Sequence, residues 1–304
     1  NSLTNDIRRV INRTYPNAEL HFFGSRISGL AKIKSDIDVF IDVGTEDLER
    51  LVPLFTTIPG LFHIKQVILG AKVPIIKLEH KNTGLSCDIS CQDGYGVYNT
   101  HLIKLYINLD ERIYKMCATI LEWAKMNGIR GSPKFTSYSL TWMVLFFLMQ
   151  PEISLVPSVQ WLQDNFSGRK VIINGWNCSF LNDINMIKKY FVPKNCDITL
   201  HELVYNFFLY YAMLRAESVV LFPYTGEVIS NRSLSRYSKA PVFLRNIFFD
   251  NNGDKLIRRG SFRLMDPFIL TCNIVQNIRK SELKLFQALC VHTLRNLSWV
   301  KENS

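Results

Sequence analysis

The segment Ser35-Asp36-Ile37-Asp38-Val39-Phe40-Ile41-Asp42 constrains the fold more than any other stretch of the chain. Side chains on a strand alternate faces, so Ile37, Val39 and Ile41 can enter a core only if Asp36 and Asp38 share the opposite side. Two carboxylates on one face repel at neutral pH, and the usual relief is a shared proton or a divalent cation bound by both. Taken alone, such a pair reads better as a solvated strand face. Its surroundings shift the balance. Upstream, Phe23-Gly24-Ser25-Arg26 places a small-residue turn after an apolar run, where backbone N–H groups and a hydroxyl could hold a phosphate with no large side chain in the way. Downstream, Leu85-Ser86-Cys87-Asp88-Ile89-Ser90 carries a lone acid inside an otherwise apolar run. Three acids can hold two Mg²⁺ (or Mn²⁺) ions, one lowering the pKa of an attacking hydroxyl and the other steadying a triphosphate and its leaving pyrophosphate. The chemistry expected is in-line phosphoryl transfer.

Around that strand the texture is one of short apolar runs separated by turn residues. Glu19 to Phe23, Asp36 to Val43, Lys72 to Leu78 and Leu85 to Ser90 read as strands, Asp47 to Phe55 as a short helix, and Thr100 to Tyr106 as the start of another. From Leu109 onward longer helical patterns dominate: Asp110 to Met126, Ser137 to Met149, Thr199 to Ala216 and Ser281 to Val300. The expected fold class is α+β in two domains, a small mixed β-sheet over residues 17–108 and a mostly helical domain over residues 109–304. Ser2 to Thr14 also reads as a helix, and residues 1–16 are assigned to the helical domain, so that the sheet domain is an insertion. With 304 residues, 47% of them apolar, two modest cores can be filled.

A formal net charge of +10 suits an anionic partner such as nucleic acid, although the basic residues are spread along the chain. The seven cysteines are scattered without a C-x-x-C pair, which argues against a zinc site or a disulfide framework and for reduced, mostly buried thiols. The most apolar run, Leu140 to Met149, is too short to cross a bilayer. The N-terminus lacks the pattern of a secretory signal, so a cytoplasmic protein without membrane association is expected. The chain opens without methionine, which fits a catalytic core cut from something longer.

Together the Gly24-Ser25 turn, the Ser35-Asp36-Ile37-Asp38 strand and the later strand bearing Asp88 resemble the DNA polymerase β-type nucleotidyltransferase superfamily. Tyr98-Asn99-Thr100-His101-Leu102, Trp123-Ala124-Lys125, Ser137-Tyr138-Ser139 and Asp266-Pro267-Phe268 then follow in order. Over most of the chain this looks like the noncanonical poly(A) polymerase and terminal uridylyltransferase family. The resemblance implies a nucleotidyltransferase catalytic domain and a helical central domain with a PAP-associated region. It implies that Asp36, Asp38 and Asp88 are the catalytic, metal-holding acids and that Gly24 and Ser25 belong to the nucleotide site. Asn99 and Thr100 would meet the ribose and base edge, Lys125 and Ser137 the triphosphate, and Tyr138 the face of the base, with Asp266 a further nucleotide contact. From the residues alone, Tyr138 reads instead as core packing beside Trp142. The activity implied is template-independent addition of UMP from UTP to RNA 3′ ends by a monomeric catalytic core. The alternatives are an ATP-using poly(A) polymerase, a catalytically inactive RNA-binding scaffold and, more distantly, a signalling cyclase.

Two departures from the family pattern matter. Leu121 stands where relatives carry a second triphosphate-binding lysine, which leaves Lys115, Arg130 and Lys134 as candidate replacements. Ile269-Leu270-Thr271-Cys272-Asn273 lacks the carboxylate and histidine of uridine-selective relatives, and cysteine is a poor hydrogen-bond partner beside imidazole. His201-Glu202-Leu203-Val204-Tyr205 begins like a zinc-protease motif, but Tyr205 replaces the second ligand and a helix surface is expected. Arg232, Arg236, Lys239, Arg245, Lys255, Arg258, Arg259 and Arg263, interleaved with Tyr237, Phe243, Phe248 and Phe249, could form an RNA track or an ordinary solvated face.

Overall fold

The computed structural model describes residues 2–33, 35–43, 48–71, 73–131, 134–234, 241–245 and 260–303, with side chains as far as residue 297. Asp47 and Lys72, expected to open a helix and a strand, lie outside the described residues, as does most of the basic stretch from Arg236 to Arg259. The chain divides into two compact units, Asn1–Ile107 with Arg169–Ser179, and Asn108–Gly168 with Phe180–Ser304.

The first unit is built on a five-stranded sheet. Helix α1 (Ser2–Ile11) leads into β1 (Glu19–Phe23), a helical turn α2 (Ser25–Ser28), β2 (Ile37–Asp42), α3 (Leu48–Leu54), β3 (Phe62–Ile68), β4 (Ile75–His80), β5 (Leu85–Ser90) and α4 (Tyr95–Leu109). The strand order is β1-β2-β5-β4-β3, with β2 and β5 parallel and every other pair antiparallel. Val39, Ile41, Ile76, Leu78, Cys87 and Ile89 are fully buried on one face, as their alternation requires. Leu3, Ile7, Val10 and Ile11 of α1, together with Leu48 and Leu51 of α3, complete that core. Burying each such side chain contributes about 1.5–3 kcal/mol, and a ten-residue helix needs that docking because so short a helix is marginal alone.

The N-terminal helix therefore belongs to the core of the sheet unit, whereas the sequence suggested the helical domain for residues 1–16. A second anchor fixes it there. His80, at the end of β4 and wholly buried, has its Nε2 3.0 Å from Asp6 Oδ2 and its Nδ1 2.8 Å from Thr83 Oγ1. The expected boundary also needs a second adjustment, because residues 169–179 rejoin the sheet unit.

The second unit is helical. Its main helices are α5 (Glu111–Met126), α6 (Ser137–Leu148), α7 (Val159–Asp164), α8 (Ile184–Tyr190), α9 (Leu200–Met213) and the long last helix Lys280–Asn303, and strands Val219–Phe222 and Glu227–Ser230 form an antiparallel pair before the last of them. Asp110 caps α5 by accepting from the Arg112 N–H, and Thr136 caps α6 by accepting from the Ser139 N–H. Thr199 and Glu202 form a reciprocal capping box on α9, so Glu202 of the His201-Glu202 pair is a cap, as the helix-surface expectation allows. Every residue of α6 from Ser139 to Leu148 is buried, and α9 packs against the last helix. Trp123 donates to Thr293 Oγ1 at 2.9 Å and Tyr211 to the Met143 carbonyl at 2.8 Å, tying the helices together. Arg263, from the supposed RNA track, is buried and donates to Asn231 and the Glu217 carbonyl. Its role is structural. Among the described residues no helix is long and apolar enough to cross a membrane.

Candidate active site

Strand register assembles the site. Phe23 of β1 pairs with Asp38 of β2, Asp38 with Asp88 of β5, and Asp88 with Lys77 of β4. Residues directly opposite one another on neighbouring strands present side chains to the same face, so one row across the sheet carries two carboxylates and an ammonium. The opposite face is the apolar core. Lys77 Nζ donates to Asp88 Oδ2 at 2.6 Å, a short charge-assisted bond. Asp36 lies one residue before β2 and is exposed. The loop leading to it is held by Arg26, whose guanidinium donates to the Ser35 and Ile33 carbonyls.

Asp38 bears the electrostatic cost of this arrangement. Burial, then the neighbouring Asp88 and Asp36 carboxylates, push its pKa up to about 7, while the Lys77 ammonium pulls the other way. A carboxyl in that state gains from any added positive charge. Among the described residues no group of three histidine, cysteine or acidic side chains is drawn together as a set of metal ligands. The chemistry of the side chains nevertheless fits a hard cation: Asp38 and Asp88 present carboxylate oxygens from paired positions, and Asp36 is exposed two residues from Asp38.

Gly24 sits at φ 76° and ψ −160°, a region essentially closed to other residues. A Cβ here would fall on Asp38 Oδ2 and stand 2.8 Å from its Cγ, so the turn approaches the acid as closely as backbone can. Ser25 opens the helical turn α2 immediately after it. The Gly24 N–H donates to Thr100 Oγ1 at 2.8 Å, and the Thr100 hydroxyl in turn donates to the Gly96 carbonyl at 2.7 Å. Thr100 is thus buried and clamps the turn to α4; its one proton is committed inside the protein. Asn99, its neighbour in α4, is also buried, and its Oδ1 has no hydrogen-bond partner among the described residues. A buried acceptor of this kind costs about 1–3 kcal/mol unless something satisfies it.

In the helical unit, Lys125 is exposed in the last turn of α5 and Ser137 is the first residue of α6. Of the candidate replacement cations, Lys115 pairs with Glu111 at 3.0 Å and Lys134 donates to the Gly128 carbonyl at 2.6 Å. Arg130 alone of the three reaches a predicted phosphate ligand: its Nε donates to Ser137 Oγ at 3.0 Å, and its Nη1 donates to the Leu121 carbonyl at 3.4 Å. Leu121 itself is buried. Tyr138 is half-buried, edge-on to Trp142 with centroids 6.4 Å apart, as the core-packing alternative requires. Its hydroxyl donates to Asp266 Oδ2 at 2.8 Å, and burial together with that carboxylate raises its pKa well above the ordinary value. Asp266 Oδ1 accepts from the Phe268 and Ile269 N–H groups, so this buried carboxylate orients Tyr138 and the turn after it. Asn273 is consumed by the Phe262 carbonyl and the Leu264 and Val275 N–H groups.

The sheet unit is thus a mixed sheet that sets two aspartates in one row, with a glycine turn packed on one of them. Residues 1–108 match the family model for the central palm domain of the mitochondrial-like poly(A) RNA polymerase. The curated proteins that the chain resembles include poly(A) polymerases and a terminal uridylyltransferase. Over 235 residues the chain is 27% identical to the speckle targeted PIP5K1A-regulated poly(A) polymerase of Rattus norvegicus, which covers 77% of this chain and 25% of that protein. Over 199 residues it is 30% identical to terminal uridylyltransferase 7 of Homo sapiens, covering 61% of this chain and 13% of that one. The chain thus spans a quarter or less of the length of these two relatives. The crystal structure of mtPAP in complex with UTP shares the fold, with a TM-score of 0.80 at 22% identity over 96% of this chain and 62% of that one.

Proposed function

We propose that this protein is a template-independent RNA nucleotidyltransferase that adds UMP from UTP to RNA 3′ ends. The observation that carries this is the pairing of Asp38 with Asp88 in one sheet row, with Gly24 packed against the first. Asp36, Asp38 and Asp88 are assigned as the ligands of two Mg²⁺ or Mn²⁺ ions, which when bound would neutralise the triphosphate and acidify the attacking 3′-hydroxyl. The Gly24-Ser25 turn offers backbone to phosphate without a side chain in the way. Asn99 Oδ1 supplies the acceptor for a donor on the ribose or base. Lys125, Ser137 and Arg130 answer the triphosphate charge, Arg130 serving in place of the absent lysine at Leu121. Tyr138, held by Asp266, stacks on the base, and Thr100 supports the turn.

The motif resemblance and the match to terminal uridylyltransferase 7 support uridine as the first reading. Adenosine is the second reading, favoured by Cys272 and Ile269 and by the match to a poly(A) polymerase. A net charge of +10 suits an RNA partner, and seven free cysteines suit the reducing cytoplasm proposed for a monomeric core. Incubation with a labelled RNA, Mg²⁺ and each NTP separately decides between the bases: extension by UTP is expected, and preference for ATP would replace the uridine assignment. Nucleotide incorporation unchanged in Asp38→Ala would remove the active-site assignment altogether.

A further inference from the structure

The third acid is not free to choose its orientation, because Lys77 already holds it. Lys77 lies directly opposite Asp88 on the central strand pair β4-β5, its Nζ 2.6 Å from Asp88 Oδ2, and its side chain and that of Asp88 are 33% and 17% exposed. It sits in the same row as Asp38 and shares the face opposite the apolar core. A lysine whose only role was solubility would extend into water; this one spends its side-chain freedom on one carboxylate oxygen.

We infer that Lys77 is a positioning residue that fixes the Asp88 carboxylate for cation binding, resting on the assignment of Asp88 as a metal ligand. Hydrogen-bonded partners of ligating carboxylates set how well the ligand is aimed, and removing one typically costs about 10–100-fold in metal affinity. The alternative role is plain competition. An ammonium that merely neutralised Asp88 would repel an incoming cation, and its removal would tighten metal binding.

Mn²⁺ titration of the metal-free protein, without nucleotide or RNA and followed by the electron paramagnetic resonance of free Mn²⁺, separates the two. Thermal denaturation in EDTA checks that each variant is folded. Lys77→Met is expected to bind Mn²⁺ about 10–100-fold more weakly than the wild type. Lys77→Gln, which keeps a donor without the charge, should fall between, and Lys77→Arg should recover most of the affinity. This order can be read from Gln and Arg even if the Met variant does not fold. Equal or tighter binding in Lys77→Met or Lys77→Gln, with the wild type binding normally, overturns the positioning role and leaves the proposed function standing. A wild type that takes up no Mn²⁺ removes the metal assignment and this inference with it.

Discussion

Replacing Gly24 by alanine tests whether the position of Asp38, and not merely its presence, governs catalysis. The substitution carries two costs. At φ 76° and ψ −160° a Cβ is strained by about 1–3 kcal/mol whatever surrounds it. The new atom would also stand 2.8 Å from Asp38 Cγ, against the roughly 3.5–4.0 Å at which carbon atoms rest. The carboxylate must therefore retreat by about 1 Å, or the turn must lift and break the Gly24–Thr100 hydrogen bond, worth about 0.5–1.5 kcal/mol. A misplacement of about 1 Å can cost about 10²-fold in rate, near 2.7 kcal/mol of barrier. Gly24→Ala is thus expected to lose about 1–3 kcal/mol in denaturant unfolding and roughly two orders of magnitude in single-turnover incorporation into labelled RNA. A variant destabilised by that amount yet extending RNA at the wild-type rate would refute the claim that backbone at Gly24 sets the carboxylate.

Other outcomes follow from the same geometry. In EDTA, Asp38 holds its proton more tightly folded than unfolded between its ordinary value of 3.8 and about 7, so its contribution to stability is present at low pH and is lost as pH rises through that window. Denaturation midpoints of wild type and Asp38→Asn across that range should show the slope in the first and a flatter curve in the second. Tyr138→Phe removes the hydrogen bond to buried Asp266 and should cost about 1.5–3 kcal/mol in unfolding, a loss that Asp266→Asn alters together with the turn at Phe268 and Ile269. Arg130→Ala should raise KM for the nucleotide more than Lys134→Ala does, since only Arg130 reaches Ser137; equal effects would discard its phosphate role. His80→Ala should loosen α1, read as faster amide exchange across residues 2–11 than in the rest of the unit.

What the sequence disclosed was whatever depends on local periodicity. Residues 19–23 and 85–90 form the strands expected of them, and Asp38 and Asp88 share a face because alternation forces it. Strand β3 escaped because Lys65 is bulged between Ile64 and Gln66, so that the residues facing the core change from even-numbered (Phe62, Ile64) to odd-numbered (Val67) and the period-two signal is broken. The hairpin at residues 172–177 was legible in principle. Asn174 and Gly175, both at positive φ, are the pair that a two-residue β-turn prefers, but two-residue strands on either side leave no alternation to notice. The placement of α1 could not be read at all, since an amphipathic helix declares a buried face without naming its partner. Only the sheet's own apolar face and the His80–Asp6 contact decide it.

The site residues divide along a similar line. Alternation and resemblance could nominate Asp36, Asp38, Asp88, Asn99 and Thr100, but they could not distinguish a residue that meets a ligand from one that holds its neighbour. Burial and hydrogen bonding do. Asn99 and Thr100 are adjacent, both buried, and both polar; yet the threonine hydroxyl is bonded on both sides and the amide oxygen beside it is not. Asp266 and Tyr138 repeat the contrast, with a carboxylate satisfied by two backbone N–H groups and a phenol, next to a ring that keeps part of its surface exposed. Lys77 extends it to the acids, where a residue without any place in the sequence motif sits nearer to Asp88 than a ligand search by motif would look. The nucleotide-facing set is therefore expected to be smaller than the set of motif residues. Substitutions at Asn99 should change KM or base preference, whereas substitutions at Thr100 and Asp266 should first lower stability, and a Thr100→Val variant with normal stability and a raised KM would reverse that division.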